Sequence, residues 1–141
     1  MSFSVLGDLN WLAVIVATLV YFAVGALWFS EVAFAKPWRR SLGIQAPPGQ
    51  RPSMGILVAP LVQAFVSVIA VAMLAKATGT DTIGEALVLW IVSGVAIAGA
   101  LIAVTAVFET TKPDRTAWAL IAGGYHLVGL LIATVIVSVW D

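Results

Sequence analysis

Four apolar stretches, each long enough to cross a bilayer, fill most of this 141-residue chain and leave only short connections between them. A membrane-spanning helix needs about 20 consecutive, mainly apolar residues. The chain offers them at Leu9 to Ser30, Ser53 to Ala77, Ile83 to Phe108 and Thr116 to Trp140. With 62% apolar and 10% charged residues, too little polar surface remains to wrap a soluble core. Lipid gives the backbone no hydrogen-bond partners, and the runs lack the alternation of a barrel strand, so all four are read as α-helices. The expectation is an all-α, polytopic membrane protein. It forms one domain over residues 1–141, a bundle of four transmembrane helices arranged as two helical hairpins. The first ten residues carry no basic region, and no small-residue cleavage pattern closes the first run. That run is therefore read as a retained helix and not as a signal peptide.

The basic residues give the bundle a direction. Loop one holds Lys36, Arg39, Arg40 and Arg51, and loop three holds Lys112 and Arg115, while the remaining segments together offer Lys76. The positive-inside rule puts loops one and three in the cytoplasm and both termini outside. Within loop one, Glu31 to Ile44 mixes Phe34, Trp38 and Leu42 with Lys36, Arg39 and Arg40. This is the pattern of a short interfacial helix, started or broken by Pro37, whose arginines snorkel and whose tryptophan anchors at headgroup depth. Ala46 to Pro52, with three prolines and a glycine, reads as a turn-rich linker. Glu31 and Glu109 stand at the cytoplasmic boundary, where salt bridges to Arg39, Arg40, Lys112 or Arg115 are expected. The two loops also echo each other. Glu31 precedes Lys36, Pro37 and Arg39 as Glu109 precedes Lys112, Pro113 and Arg115, so two hairpins related by a pseudo-twofold along the membrane normal are one arrangement to test.

Any chemistry inside the bilayer has to sit near its middle. Counting inward from the cytoplasmic ends of the spans, Tyr21, Gln63 and His126 each lie roughly 14 to 15 Å deep at helical rise. They share one layer. On span four His126 belongs to the series Ala119, Ala122, His126, Gly129 and Ala133, whose spacing of three and four marks a close-packing face of small residues. Span three offers a matching stripe at Ser93, Ala96, Ala100 and Ala103, and span one carries Thr18, Tyr21, Gly25 and Trp28 on one face. The small stripes of spans three and four suit either packing within the bundle or a seam between subunits. Two uses of the polar layer stay open. Its residues converge on a small site where His126 takes up and releases protons or meets a ligand, or they are hydrogen-bonded glue between helices.

Other chemistries lack their residues. Without cysteine there is no disulfide and no thiolate metal site. One histidine and scattered acids make no ligand cluster at a known spacing, so no metal is expected. No nucleophile elbow, phosphate loop or acid, base and nucleophile set is legible, so neither an enzyme nor a bound cofactor is expected. A net charge of zero gives no attraction to nucleic acid. The expected partners are the lipid bilayer, further copies of the chain in a homo-oligomer, and a small-molecule or lipid ligand. The function these features support is an oligomeric bundle that binds or passes a small solute, proton or lipid. The alternative is a non-transporting structural or assembly subunit.

Asn10-Trp11-Leu12-Ala13-Val14 opens span one, followed by Gly25-Ala26-Leu27-Trp28-Phe29-Ser30, Phe34 and Lys36-Pro37-Trp38. Phe108-Glu109 and Gly124-Tyr125-His126-Leu127-Val128 close the pattern. Over nearly its whole length, and most strongly in spans one and four, the chain resembles the domain of unknown function 1761 family of small bacterial membrane proteins. The resemblance implies a four-span protein of the bacterial cytoplasmic membrane. It also implies that Trp28, Trp38, Tyr125 and His126 are among the pattern residues, and it brings no settled activity.

Overall fold

The computed structural model describes residues 2–45 and 53–140. The linker expected at 46–52, with Arg51 in it, and Asp141 lie outside the described residues. A short 3-10 segment, Phe3–Asp8, leads into α1 (Trp11–Trp28), followed by α2 (Ala35–Leu42), α3 (Met54–Thr78), α4 (Ile83–Phe108) and α5 (Arg115–Val139). Among the described residues there is no strand. Helices α1, α3, α4 and α5 are long and apolar enough to cross a membrane.

Each helix starts and stops for a local reason. The Asn10 side chain accepts the Ala13 N–H at 3.1 Å and caps α1, and Asp114 does the same for α5 through Ala117 at 2.8 Å. Thr82 and Glu85 close a reciprocal capping box at the start of α4. Pro37 falls in the first turn of α2, where its missing N–H is not needed, so it starts that helix and does not break it. Gly43 (φ +69°) and Gly79 (φ +66°) end α2 and α3 in the left-handed conformation that glycine adopts without steric penalty.

Helices α1, α3 and α5 pack as a triangle around Val14, Tyr21, Val68, Tyr125 and Ala133. Helix α4 lies on the far side of α5 and meets α3 at Ile83–Trp90, beside their short connection. This is not a pseudo-twofold pair of hairpins. Such symmetry would match the long α1–α5 seam with an equally long α4–α3 seam, and none forms. The loop echo diverges too: Arg39 pairs with Glu31 at 2.7 Å, whereas Lys112 takes Glu109 and Arg115 donates to the Val107 carbonyl at 2.9 Å.

Of the two uses expected for the α4 stripe, packing within the bundle is not found. Ala96, Ala100 and Ala103 are exposed. The covered line is Ala86, Trp90, Gly94, Ala98, Ile102 and Ala106, every fourth residue. A repeat of four cannot stay on one face of a helix wound at 3.6 residues per turn. It does so here because Ile91–Gly99 is a π segment with wider turns.

Loops one and three come together at one end of the bundle. The Asp114 N–H donates to the Ser41 carbonyl at 3.3 Å, and Pro113 packs on Gly43, so the basic residues of both loops gather there. Hydrogen bonds from Lys112 and then Thr111 hold the Glu109 carboxyl at about 2, well below its ordinary value, while Lys112 also lies 4.5 Å above the Trp118 ring. Arg40 and Lys36 are exposed. Trp38 packs edge-on against Phe29, centroids 5.3 Å apart. At the opposite end, Asn10 donates to the Trp140 carbonyl at 2.6 Å and ties the start of α1 to the end of α5.

Candidate functional site

Tyr21 brings the layer together. Its ring is fully buried and lies against Gly129 of α5, where a Cβ would fall 2.0 Å from Cε2. No residue but glycine fits there without moving the ring. Its hydroxyl lies 2.9 Å from Nδ1 of His126 and 3.5 Å from the His126 carbonyl oxygen. From α3, the Gln63 amide donates to the Tyr21 oxygen at 3.5 Å and to the Ser67 hydroxyl at 2.9 Å. The three residues that depth counting put in one layer are thus bonded to each other, across three helices.

These bonds have a direction. Both Gln63 amide hydrogens are committed, one to Ser67 and one to Tyr21. The Tyr21 oxygen accepts from Gln63, and its own proton has two acceptors within reach, Nδ1 of His126 at 2.9 Å and the His126 carbonyl oxygen at 3.5 Å. Donation to the nearer one goes with an imidazole proton on Nε2. Among the described residues, neither Nε2 of His126 nor Oε1 of Gln63 has a hydrogen-bond partner.

The α1 face carrying Thr18, Tyr21, Gly25 and Trp28 is turned to α5. Gly25 lies under the Tyr125 ring, with a Cβ there 2.8 Å from Cε2. The Trp28 indole donates to the Ile121 carbonyl at 3.0 Å and rests on Gly124. Ala122 is half-buried, whereas Gly129 is buried.

Sequence reasoning gave Tyr125 no place in the layer, although it adjoins it. The Tyr125 ring stands 5.3 Å from Tyr21, 4.7 Å from His126 and 5.5 Å from Phe29 between centroids. Its hydroxyl is buried with no hydrogen-bond partner among the described residues. Trp90 was missed as well, and its indole donates to the Leu127 carbonyl at 2.9 Å while the ring covers Gly94. The signal for both was an aromatic placed opposite, or one turn from, a glycine at the same depth.

Among the described residues, no three His, Cys, Asp or Glu side chains cluster as a metal set. The layer can exchange hydrogen bonds and, through His126, a proton. If Nδ1 takes a proton, the Tyr21 hydroxyl must turn away, and the His126 carbonyl oxygen is the acceptor within reach.

One family matches by sequence: Protein of unknown function (DUF1761), over residues 12–138. No curated protein and no solved structure matches the chain at a significant level.

Proposed function

The chain belongs to the DUF1761 family of unknown function, and we propose that it is a multi-pass membrane protein that binds or passes a small solute, proton or lipid at the Tyr21, Gln63 and His126 layer. The observation that carries this reading is His126 itself. It is an ionisable side chain about 15 Å inside the span, bonded at one ring nitrogen and open at the other. Ionisable residues at such depth mark pathways and binding sites, since burying them for packing alone is costly. The proposal includes an inner-membrane location with loops one and three in the cytoplasm, supported by the basic residues gathered at their end of the bundle. It also includes assembly of several copies, because one thin four-helix bundle has little interior of its own.

A second reading, a non-transporting assembly subunit, is favoured by the seating of Tyr21 on Gly129 and by the bonds linking α1, α3 and α5. Proteoliposomes with a trapped pH-sensitive dye separate the two. Under an imposed pH gradient the wild type should dissipate the gradient faster than empty vesicles, and His126→Gln should fall to the empty-vesicle rate. Wild-type vesicles as tight as empty ones would reject proton passage and leave binding to be tested by labelling.

A further inference from the structure

Helix α2 divides its side chains between two tasks. One side seats it on the bundle. Ala35 and Ser41 are buried, the Trp38 ring packs edge-on against Phe29, and the Arg39 guanidinium pairs with Glu31 at 2.7 Å. The Ser41 carbonyl accepts the Asp114 N–H of loop three at 3.3 Å. The tryptophan and one arginine of the anchor pattern therefore hold α2 in place. The other side carries Lys36 and Arg40, both exposed. They stand four residues apart, so their side chains leave one face of the helix a single turn apart.

This pair has no counter-charge of its own. Among the described residues neither side chain makes a hydrogen bond or an ion pair. Every described acid at this end of the bundle is engaged elsewhere. Glu31 holds Arg39, Glu109 holds Lys112, and Asp114 accepts the Ala117 N–H at the start of α5. Arg115 is turned to the Val107 carbonyl. Because α2 is seated before anything binds, the two cations share a face that is already ordered, and less freedom is lost when they meet a ligand.

The level of the pair decides its partner. Val32, 86% exposed, stands in the turn that leads into α2, and Phe108, 78% exposed, closes α4 at the same end. Exposed apolar side chains at the ends of membrane-spanning helices face lipid, so the pair stands where the spans leave the hydrocarbon and the phosphate groups begin. A headgroup with net negative charge answers two cations there. A zwitterionic headgroup would bring an ammonium of its own beside them. An acidic protein would have to displace the headgroups already at this level.

We propose that Lys36 and Arg40 form a headgroup site for an anionic phospholipid, whose phosphate lies on the outward face of α2 while its acyl chains stay in the bilayer. The site is separate from the Tyr21, Gln63 and His126 layer and does not depend on it.

The test is lipid retention by the full chain. The protein is reconstituted in nanodiscs of equal phosphatidylglycerol and phosphatidylcholine, extracted into a mild non-ionic detergent, and the lipids it keeps are identified by native mass spectrometry. The wild type should keep phosphatidylglycerol in excess. Lys36→Gln and Arg40→Gln should each lower that excess about tenfold, the weight of one charge-assisted hydrogen bond. Arg115→Gln removes the same charge from the same end and should lower it far less. Soluble glycerol phosphate should not displace the lipid. All three positions are exposed, an unchanged melting profile shows each variant folded, and either of the first two carries the test alone. Equal losses in Arg40→Gln and Arg115→Gln would reduce the effect to diffuse attraction and overturn the site. Displacement by glycerol phosphate would overturn it in favour of soluble anions. A wild type that keeps both lipids equally would overturn it and leave the pair to an acidic protein.

Discussion

Helices α5 and α4 are neighbours of similar length, both apolar enough to span a membrane, and the fold uses them in opposite ways. In the most apolar stretch of α5 44% of residues are buried, against 6% in α4. Helix α5 is the axis of the bundle: α1, α2, α3 and α4 all pack on it. Its glycines receive aromatic rings, Tyr21 on Gly129 and Trp28 on Gly124, and its carbonyls take indole N–H bonds from Trp28 and Trp90. Without a hydrophobic driving force between helices in lipid, close approach and polar contacts have to hold them, and α5 concentrates both. Helix α4 keeps one narrow line against α5 and turns the rest outward. Mean hydropathy is higher in the exposed α4, 2.6 against 2.1 in α5, and small residues paired with aromatics mark α5 as the covered helix.

The sharpest way to break this contrast is Gly129→Ala. A methyl at 2.0 Å from the Tyr21 ring cannot be absorbed by a small shift, and overpacking of this kind costs about 3 kcal/mol. Detergent-titrated unfolding should show the loss. Gly99→Ala on α4, where a Cβ meets its nearest atom at 3.5 Å, should change little by the same measurement.

Next in size is Tyr21→Phe, which keeps the ring on Gly129 and removes the hydroxyl shared by Gln63 and His126. A loss of about 1 kcal/mol is expected, in the range measured for buried membrane hydrogen bonds. A neutral result would mean that the layer contributes nothing to holding α3.

Ala100→Leu on the exposed side of α4 should alter the stability of the single chain by less than about 0.5 kcal/mol. Analytical ultracentrifugation in detergent then sharpens the comparison. A shift to smaller species would show that this outward stripe is a seam between copies.

The smallest effect is at the end of α4. Because the folded chain holds the Glu109 carboxyl down at about 2, the stabilisation from its Lys112 and Thr111 contacts is complete above the ordinary carboxylate value and fades as pH falls towards 2. An NMR titration of the Glu109 side chain should find its midpoint there, and Lys112→Met should raise it.

The spans were legible because the requirement for an apolar length leaves no other reading, and the observed helices start and end within a few residues of the expected limits. The layer was legible because depth follows from counting along a helix: Tyr21, Gln63 and His126 were put at one level and the structure bonds them. The covered face of α4 was not legible. Counting Ser93, Ala96, Ala100 and Ala103 assumes the regular winding that Ile91–Gly99 abandons, a segment whose Ser93-Gly94 pair and Gly99 weaken the helix without fixing how it winds. Nor does spacing say which stripe is chosen, since that depends on where Trp90 finds an acceptor.

His126 is the one histidine of the chain, so nitrogen-15 NMR of histidine-labelled protein in liposomes at neutral pH reads the centre of the layer without ambiguity. The account predicts a proton on Nε2 and an unprotonated Nδ1 that accepts from Tyr21, with the Nδ1 signal shifted in Tyr21→Phe. A proton on Nδ1, or a ring indifferent to Tyr21→Phe, would contradict it.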